Sequence, residues 1–130
     1  MAVSPWASHV RAVSPDQAFV AELLDGMEIC MGGPTLGTLR ISGTDLPIER
    51  CSPSLVWSDD SKLLAVPQWT SERMQRLLIV TIASHGFTYA PGEFDVLELH
   101  SFEEGVVRGI DSPIHKPKPV EFRLSDFIAR

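Results

Sequence analysis

Four histidines, two cysteines, a scatter of serines and two adjacent carboxylate pairs are the residues of this 130-residue chain whose types could do chemistry. His9, His85, His100 and His115 could ligate a metal, with Cys30 or Cys51 beside them. No two histidines stand at i,i+2 or i,i+4, and there is no Cys-x-x-Cys, so a zinc site would have to be assembled from distant strands. The simpler expectation is surface or half-buried imidazoles and two small buried or half-buried cysteines, with no disulfide framework. No serine lies in Gly-x-Ser-x-Gly. Ser84 and His85 are neighbours, but neighbours on a strand point to opposite faces and cannot pair. The Gly-rich run Met31–Thr38 lacks the Lys-Ser/Thr ending of a phosphate loop and reads as a turn between strands. Asp59-Asp60 and Glu103-Glu104 could supply acid and base only if two of them faced each other across a cleft. Between strands they read first as solvated turn residues. The expectation is no enzyme, no cofactor and no metal.

The elements that hold these residues repeat. Ser14 set against Ser58 brings Asp16 onto Asp60, Phe19 onto Leu63, Val20 onto Leu64 and Ala21 onto Ala65; upstream, Ala12-Val13 meets Val56-Trp57. Each copy reads as strand, tight polar turn, apolar strand, a β-hairpin. Pro15 presets φ for a turn, and Asp16 can bond its own backbone. Met27–Met31 and Arg76–Ile82 are candidate third strands, Gly37–Ser42 and Asp95–His100 candidate fourth strands. Pro67 follows the strand 62–66 and would mark an edge or a bulge. Helix is scarce: Asp16–Leu24 has an N-capped helical alternative, and Thr70–Leu78 and Ser125–Arg130 have room for one turn each.

Length and composition fit a single domain, 1–130, without a membrane span: the longest apolar run, Leu77–Ala83, has strand length. The N-terminus lacks the basic-then-apolar pattern of a secretory signal, so the cytoplasm is the expected compartment. Four strands at a period of 40–45 residues is the rhythm of a β-propeller blade. Ser52-Pro53, Trp57-Ser58, Asp59-Asp60-Ser61 and Leu64-Ala65-Val66 resemble the WD40-like unit of TolB-type propellers, although the turn glycine of that unit is missing from both copies. The resemblance implies a mainly β fold: two antiparallel four-stranded blade-like sheets, as a half-propeller or a β-sandwich, with little helix. The first unit would cover about 8–51 and the second about 52–111, with a terminal strand within 112–130. Two blades cannot close a ring, which takes four or more.

Charge bears on the partner. The chain carries −6, which argues against nucleic acid as a direct ligand and suits a basic protein. Between Glu93 and Asp111, six carboxylates (Glu93, Asp95, Glu98, Glu103, Glu104, Asp111) face only Arg108; from 112 onward the balance is positive. This is either one solvated sheet face or a docking surface. Trp69 opens a polar loop and could stand partly exposed as an anchor, and Phe87 and Tyr89 fall in the stretch Ser84–Glu93, which reads as the longest loop. In size, acidity and blade-like element the chain resembles bacterial immunity proteins of type VI and other polymorphic-toxin systems. That resemblance implies a cognate toxin as partner, a basic nuclease, occluded by Asp59, Asp60, Glu93, Asp95, Glu98, Glu103 and Glu104 with Trp69, Phe87 and Tyr89 as anchors. The alternatives are a self-associating β scaffold that pairs as a homodimer through an open sheet edge, and a small enzyme on a β-sandwich.

Overall fold

The computed structural model describes residues 3–44 and 47–128. Among the described residues eleven strands follow one another: β1 Val10–Val13, β2 Val20–Glu28, β3 Thr35–Ile41, β4 Ile48–Cys51, β5 Val56–Trp57, β6 Leu63–Trp69, β7 Gln75–Thr81, β8 Gly86–Tyr89, β9 Leu97–Glu103, β10 Val106–Asp111 and β11 Lys118–Arg123. A 3-10 turn, Leu124–Asp126, occupies part of the expected terminal helical turn; residues 129 and 130 lie outside the described residues. The fold is mainly β and antiparallel, with an eight-stranded sheet and a three-stranded one, β11-β10-β9, neither closed into a barrel. Among the described residues no helix is long and apolar enough to cross a membrane.

The large sheet is two four-stranded halves, β1–β4 and β5–β8, tied through the bridge Cys51↔Gln68. Pro67 lies within β6, not after it, and pairs with Leu77. Its missing N–H falls where the neighbour on the other side of β6 changes from β5 (Val56↔Ala65) to β4 (Cys51↔Gln68), and its carbonyl accepts from Ser52 N–H at 2.9 Å. A proline costs little at such a gap in the ladder.

Period-two patterning decides how the layers stack. In β6 and β7, Leu64, Val66, Leu78 and Val80 join a core with Val10, Ala21, Leu23, Leu39, Ile41, Ile48 and Trp57. The alternate residues Ala65, Leu77 and Ile79 join a second core with Leu97, Leu99, Phe102, Val107 and Phe122. The central strands β6 and β7 of the second half are therefore buried on both faces, and β7 reads as a near-continuous apolar run, Leu77–Val80, for that reason. The first half-sheet covers one of these faces, and the three-stranded sheet β9–β11, the third sheet of the stack, covers the other.

Three strand expectations move. β2 continues to Glu28, so Met27–Met31 is the end of the second strand and the start of a turn, Gly37–Ser42 belongs to the third strand, and the fourth is Ile48–Cys51. Ser84–Glu93 is not one long loop: Gly86–Tyr89 pairs with β7 as the fourth strand of the second half. Asp95–His100 then opens the third sheet instead of closing the second. The stretch 16–24 is a turn followed by strand from Val20, not a helix, and Thr70–Leu78 is a hairpin turn over 70–74, with Arg73 at φ 61°, followed by the start of β7.

Candidate functional site

The repeated turns are the same object built twice. Ser14 Oγ donates to Asp16 Oδ1 at 2.6 Å and accepts from Phe19 N–H at 3.0 Å, while Ala18 N–H donates to Asp16 Oδ1 at 2.9 Å. Ser58 Oγ donates to Asp60 Oδ1 at 2.6 Å and accepts from Leu63 N–H at 3.0 Å, while Lys62 N–H donates to Asp60 Oδ1 at 3.0 Å. Gln17 and Ser61 hold φ 63° and 65° at matching places. These are the positions where a glycine would sit at least cost. The hydroxyl–carboxylate bond comes first, and the backbone N–H second, in holding both Asp16 and Asp60 below the usual aspartate range. The serine hydroxyls are spent on the turn and are not nucleophiles in waiting.

Neighbouring turns are stitched together. Asp16 N–H donates to Ser61 Oγ at 2.9 Å. Asp59 N–H donates to the Phe102 carbonyl at 3.1 Å, and Glu104 N–H donates back to Asp59 Oδ2 at 3.1 Å. The third hairpin, β9–β10, has no Ser or Asp in its turn; Glu104 (φ 54°) and Gly105 (φ 74°) close it as a two-residue primed turn. The stacking of the two half-sheets and the three-stranded sheet thus places Asp16, Asp59, Asp60, Glu103 and Glu104, all exposed, along one end of the molecule. Between the turns of the first two half-sheets runs a groove of about 630 Å³, lined by Phe19, Ile82 and His85 with Asp16, Asp60 and Lys62 at its rim. Phe87, 51% exposed, stands beside it with Ile48, Ile82 and His85.

The other expected site residues lie elsewhere. Glu93 and Asp95 precede β9, and Glu103 ends it, so the run of acid spans a seven-residue strand. At about 3.3 Å per residue that is on the order of 20 Å, beyond two Debye lengths in physiological salt. Asp95 Oδ2 accepts from Ser112 Oγ at 3.3 Å, and Asp111 Oδ1 accepts from Asp95 N–H and Val96 N–H at 3.1 Å each, so this end of the acid holds a loop in shape. Glu98 lies on the outward face of the third sheet, 2.8 Å from His100 Nε2. Tyr89, 37% exposed, donates its hydroxyl to Gln68 Oε1 and lies under the Arg76 guanidinium, 4.2 Å from its ring centre. Trp69 is no exposed anchor: it is 5% exposed inside β6, and its indole N–H donates to the Thr35 carbonyl at 3.2 Å. Its neighbours Pro67 and Gln68 suggest a loop but belong to the strand.

Asp16 is the residue of this end that the charge run alone misses. Its signal was the repeat, which aligns it with Asp60. Among the described residues no three His, Cys, Asp or Glu side chains gather closely enough to hold a metal ion. Cys51 is buried, and desolvation pushes its thiol up to about 12, which leaves it inert. Cys30, expected buried or half-buried, is exposed in the β2–β3 turn. No family model, curated protein or solved structure matches the chain.

Proposed function

We propose that the chain is an immunity protein that binds a basic toxin, a nuclease by its chemistry, and covers the toxin's active site with the carboxylates of its turn end. The observation that carries this reading is the convergence of Asp16, Asp59, Asp60, Glu103 and Glu104 on one end through the turn-to-turn hydrogen bonds. Fixed carboxylates can stand where the phosphates of a nucleic-acid substrate would stand, and the same field speeds encounter with a positive partner. Asp16 and Asp60 are held ionised by their turns, so this negative charge persists into mild acid. Phe19 and Phe87, at and beside the groove, offer apolar surface for a partner side chain. Such an inhibitor works in the cytoplasm of the cell it protects, where the toxin finds its substrate.

The test is capture of the toxin-like product encoded next to this chain. It should co-purify with the chain and lose its nuclease activity in the complex. Its association rate should fall steeply between low and physiological salt. Glu103→Lys with Glu104→Lys should slow association about tenfold or more. A neighbouring product that ignores the chain, or capture that is indifferent to both salt and the double reversal, overturns the proposal.

A further inference from the structure

The two outermost sheet faces of the stack differ in how they are finished. The outward face of the third sheet is closed with ion pairs: Glu121 accepts from Arg108 at 3.1 Å and from Arg123 at 2.9 Å, and Glu98 lies against His100. The outward face of β1–β3 is not. Its residues follow from the register: Val13 beside Val20, then Arg11–Glu22–Arg40 in one cross-strand row, then Leu24 beside Thr38, then Met27 beside Leu36. Along β2 and β3 the outward Val20, Glu22, Leu24, Leu36 and Thr38 are only half-covered, whereas the inward neighbours Ala21, Leu23 and Leu39 are fully buried. Val13 is 44% and Met27 63% exposed. Among the described residues neither Arg11 nor Arg40 is ion-paired to a carboxylate, and the one ion pair of Glu22 is with His9, at 3.1 Å.

We infer that this face is the dimer interface of the protein and that its occupant is a second copy of the same face. Charge complementarity selects this occupant. The row reads plus, minus, plus in a chain whose net charge is −6. A basic partner suited to the acidic turns meets Arg11 and Arg40 here, neither ion-paired among the described residues, and is repelled. A second copy fits. A two-fold axis running along the strands between β2 and β3 lays Glu22 of each copy over Arg40 of the other. The same axis sets the half-covered rows, Val20 on one side and Leu24 with Thr38 on the other, against their own counterparts. Sheets stacked this way lie about 10 Å apart, close enough for these side chains to meet. An isologous contact of this kind closes after two copies, and it leaves the turn end of each copy open.

Sedimentation or light scattering over a concentration series reads the state directly. The wild-type chain should give the mass of a dimer. Glu22→Arg alone and Arg40→Glu alone should each weaken it at least about tenfold, because each puts like charges together across the axis. The combined Glu22→Arg, Arg40→Glu chain should recover the dimer, since the pairs are restored with their signs exchanged. That recovery cannot come from misfolding, and unchanged circular dichroism of the single variants keeps them interpretable. Arg108→Glu with Glu121→Arg, on the ion-paired face of the third sheet, should leave the mass unchanged. A monomer at every concentration, a dimer indifferent to both single reversals, or a dimer broken by the exchange at Arg108 and Glu121 overturns the inference.

Discussion

The first two hairpins and the third turn the chain at the same end by different means. Ser14–Phe19 and Ser58–Leu63 close around a buried hydroxyl and a carboxylate, which satisfy three backbone or hydroxyl donors in each turn. Phe102–Val106 closes with backbone alone, on Glu104 and Gly105. In the first two turns one carboxylate is structural. In the third both glutamates stand outside the turn's own bonding, and only the Glu104 N–H is engaged, by Asp59. Asp16 and Asp60 shape the molecule as well as charge its end, whereas Glu103 and Glu104 only charge it.

The largest effect should come from removing the hydroxyl. Ser58 is 3% exposed, so Ser58→Ala leaves the Leu63 N–H without an acceptor and should cost about 2 kcal/mol, read from the urea midpoint. No single side-chain truncation at Glu103 or Glu104 should approach that. Next, Gln17→Gly should stabilise the first turn by about 0.5–1 kcal/mol, because φ 63° strains any residue with a Cβ. Gly105→Ala, at φ 74° with open space around the added methyl, should do the reverse by about 1 kcal/mol.

Acid should divide the turns as well. Asp16 and Asp60 titrate below the unfolded aspartate value of 3.8. A depressed carboxylate stabilises the fold above its unfolded pKa and stops doing so as pH falls through the folded one. Stability should therefore drop below about pH 4 in the wild type, and Asp16→Asn with Asp60→Asn should flatten that part of the acid limb in a pH series of thermal melts. The smallest effect on the fold should be that of Glu103→Lys with Glu104→Lys, within about 0.5 kcal/mol of wild type by the same urea titration, although this is the pair expected to govern capture.

How much of this could be read in the sequence follows the same division. The two Ser-x-Asp hairpins were legible because their bonds lie within six residues, and the small residues Ala21 and Ala65 fell into line behind them. The third sheet was not, because its turn has lost both Ser and Asp and offers only Glu-Gly. β8 was hidden in Gly86–Tyr89, four residues with no clear alternation of polarity and a turn at His85 (φ 56°) just before. Trp69 was misplaced because a proline inside a strand reads as a break; only the gap between β5 and β4 makes room for it. The acidic end was half legible: Asp59-Asp60 and Glu103-Glu104 were visible as pairs, but their adjacency depends on sheets that stack. The separation of Glu93 and Asp95 from them depends on a strand running between.

Four side-chain bonds that join one layer to the next (Asp16 to Ser61, Trp57 to Ala12, Leu99 to Ser54, Glu104 to Asp59) each link residues 45 positions apart. The entropy of closing a loop grows only with the logarithm of its length, so each new layer is docked at the same modest cost as the one before. Such a chain can be assembled in the order in which a ribosome delivers it, every segment finding its neighbour in the piece made just beforehand.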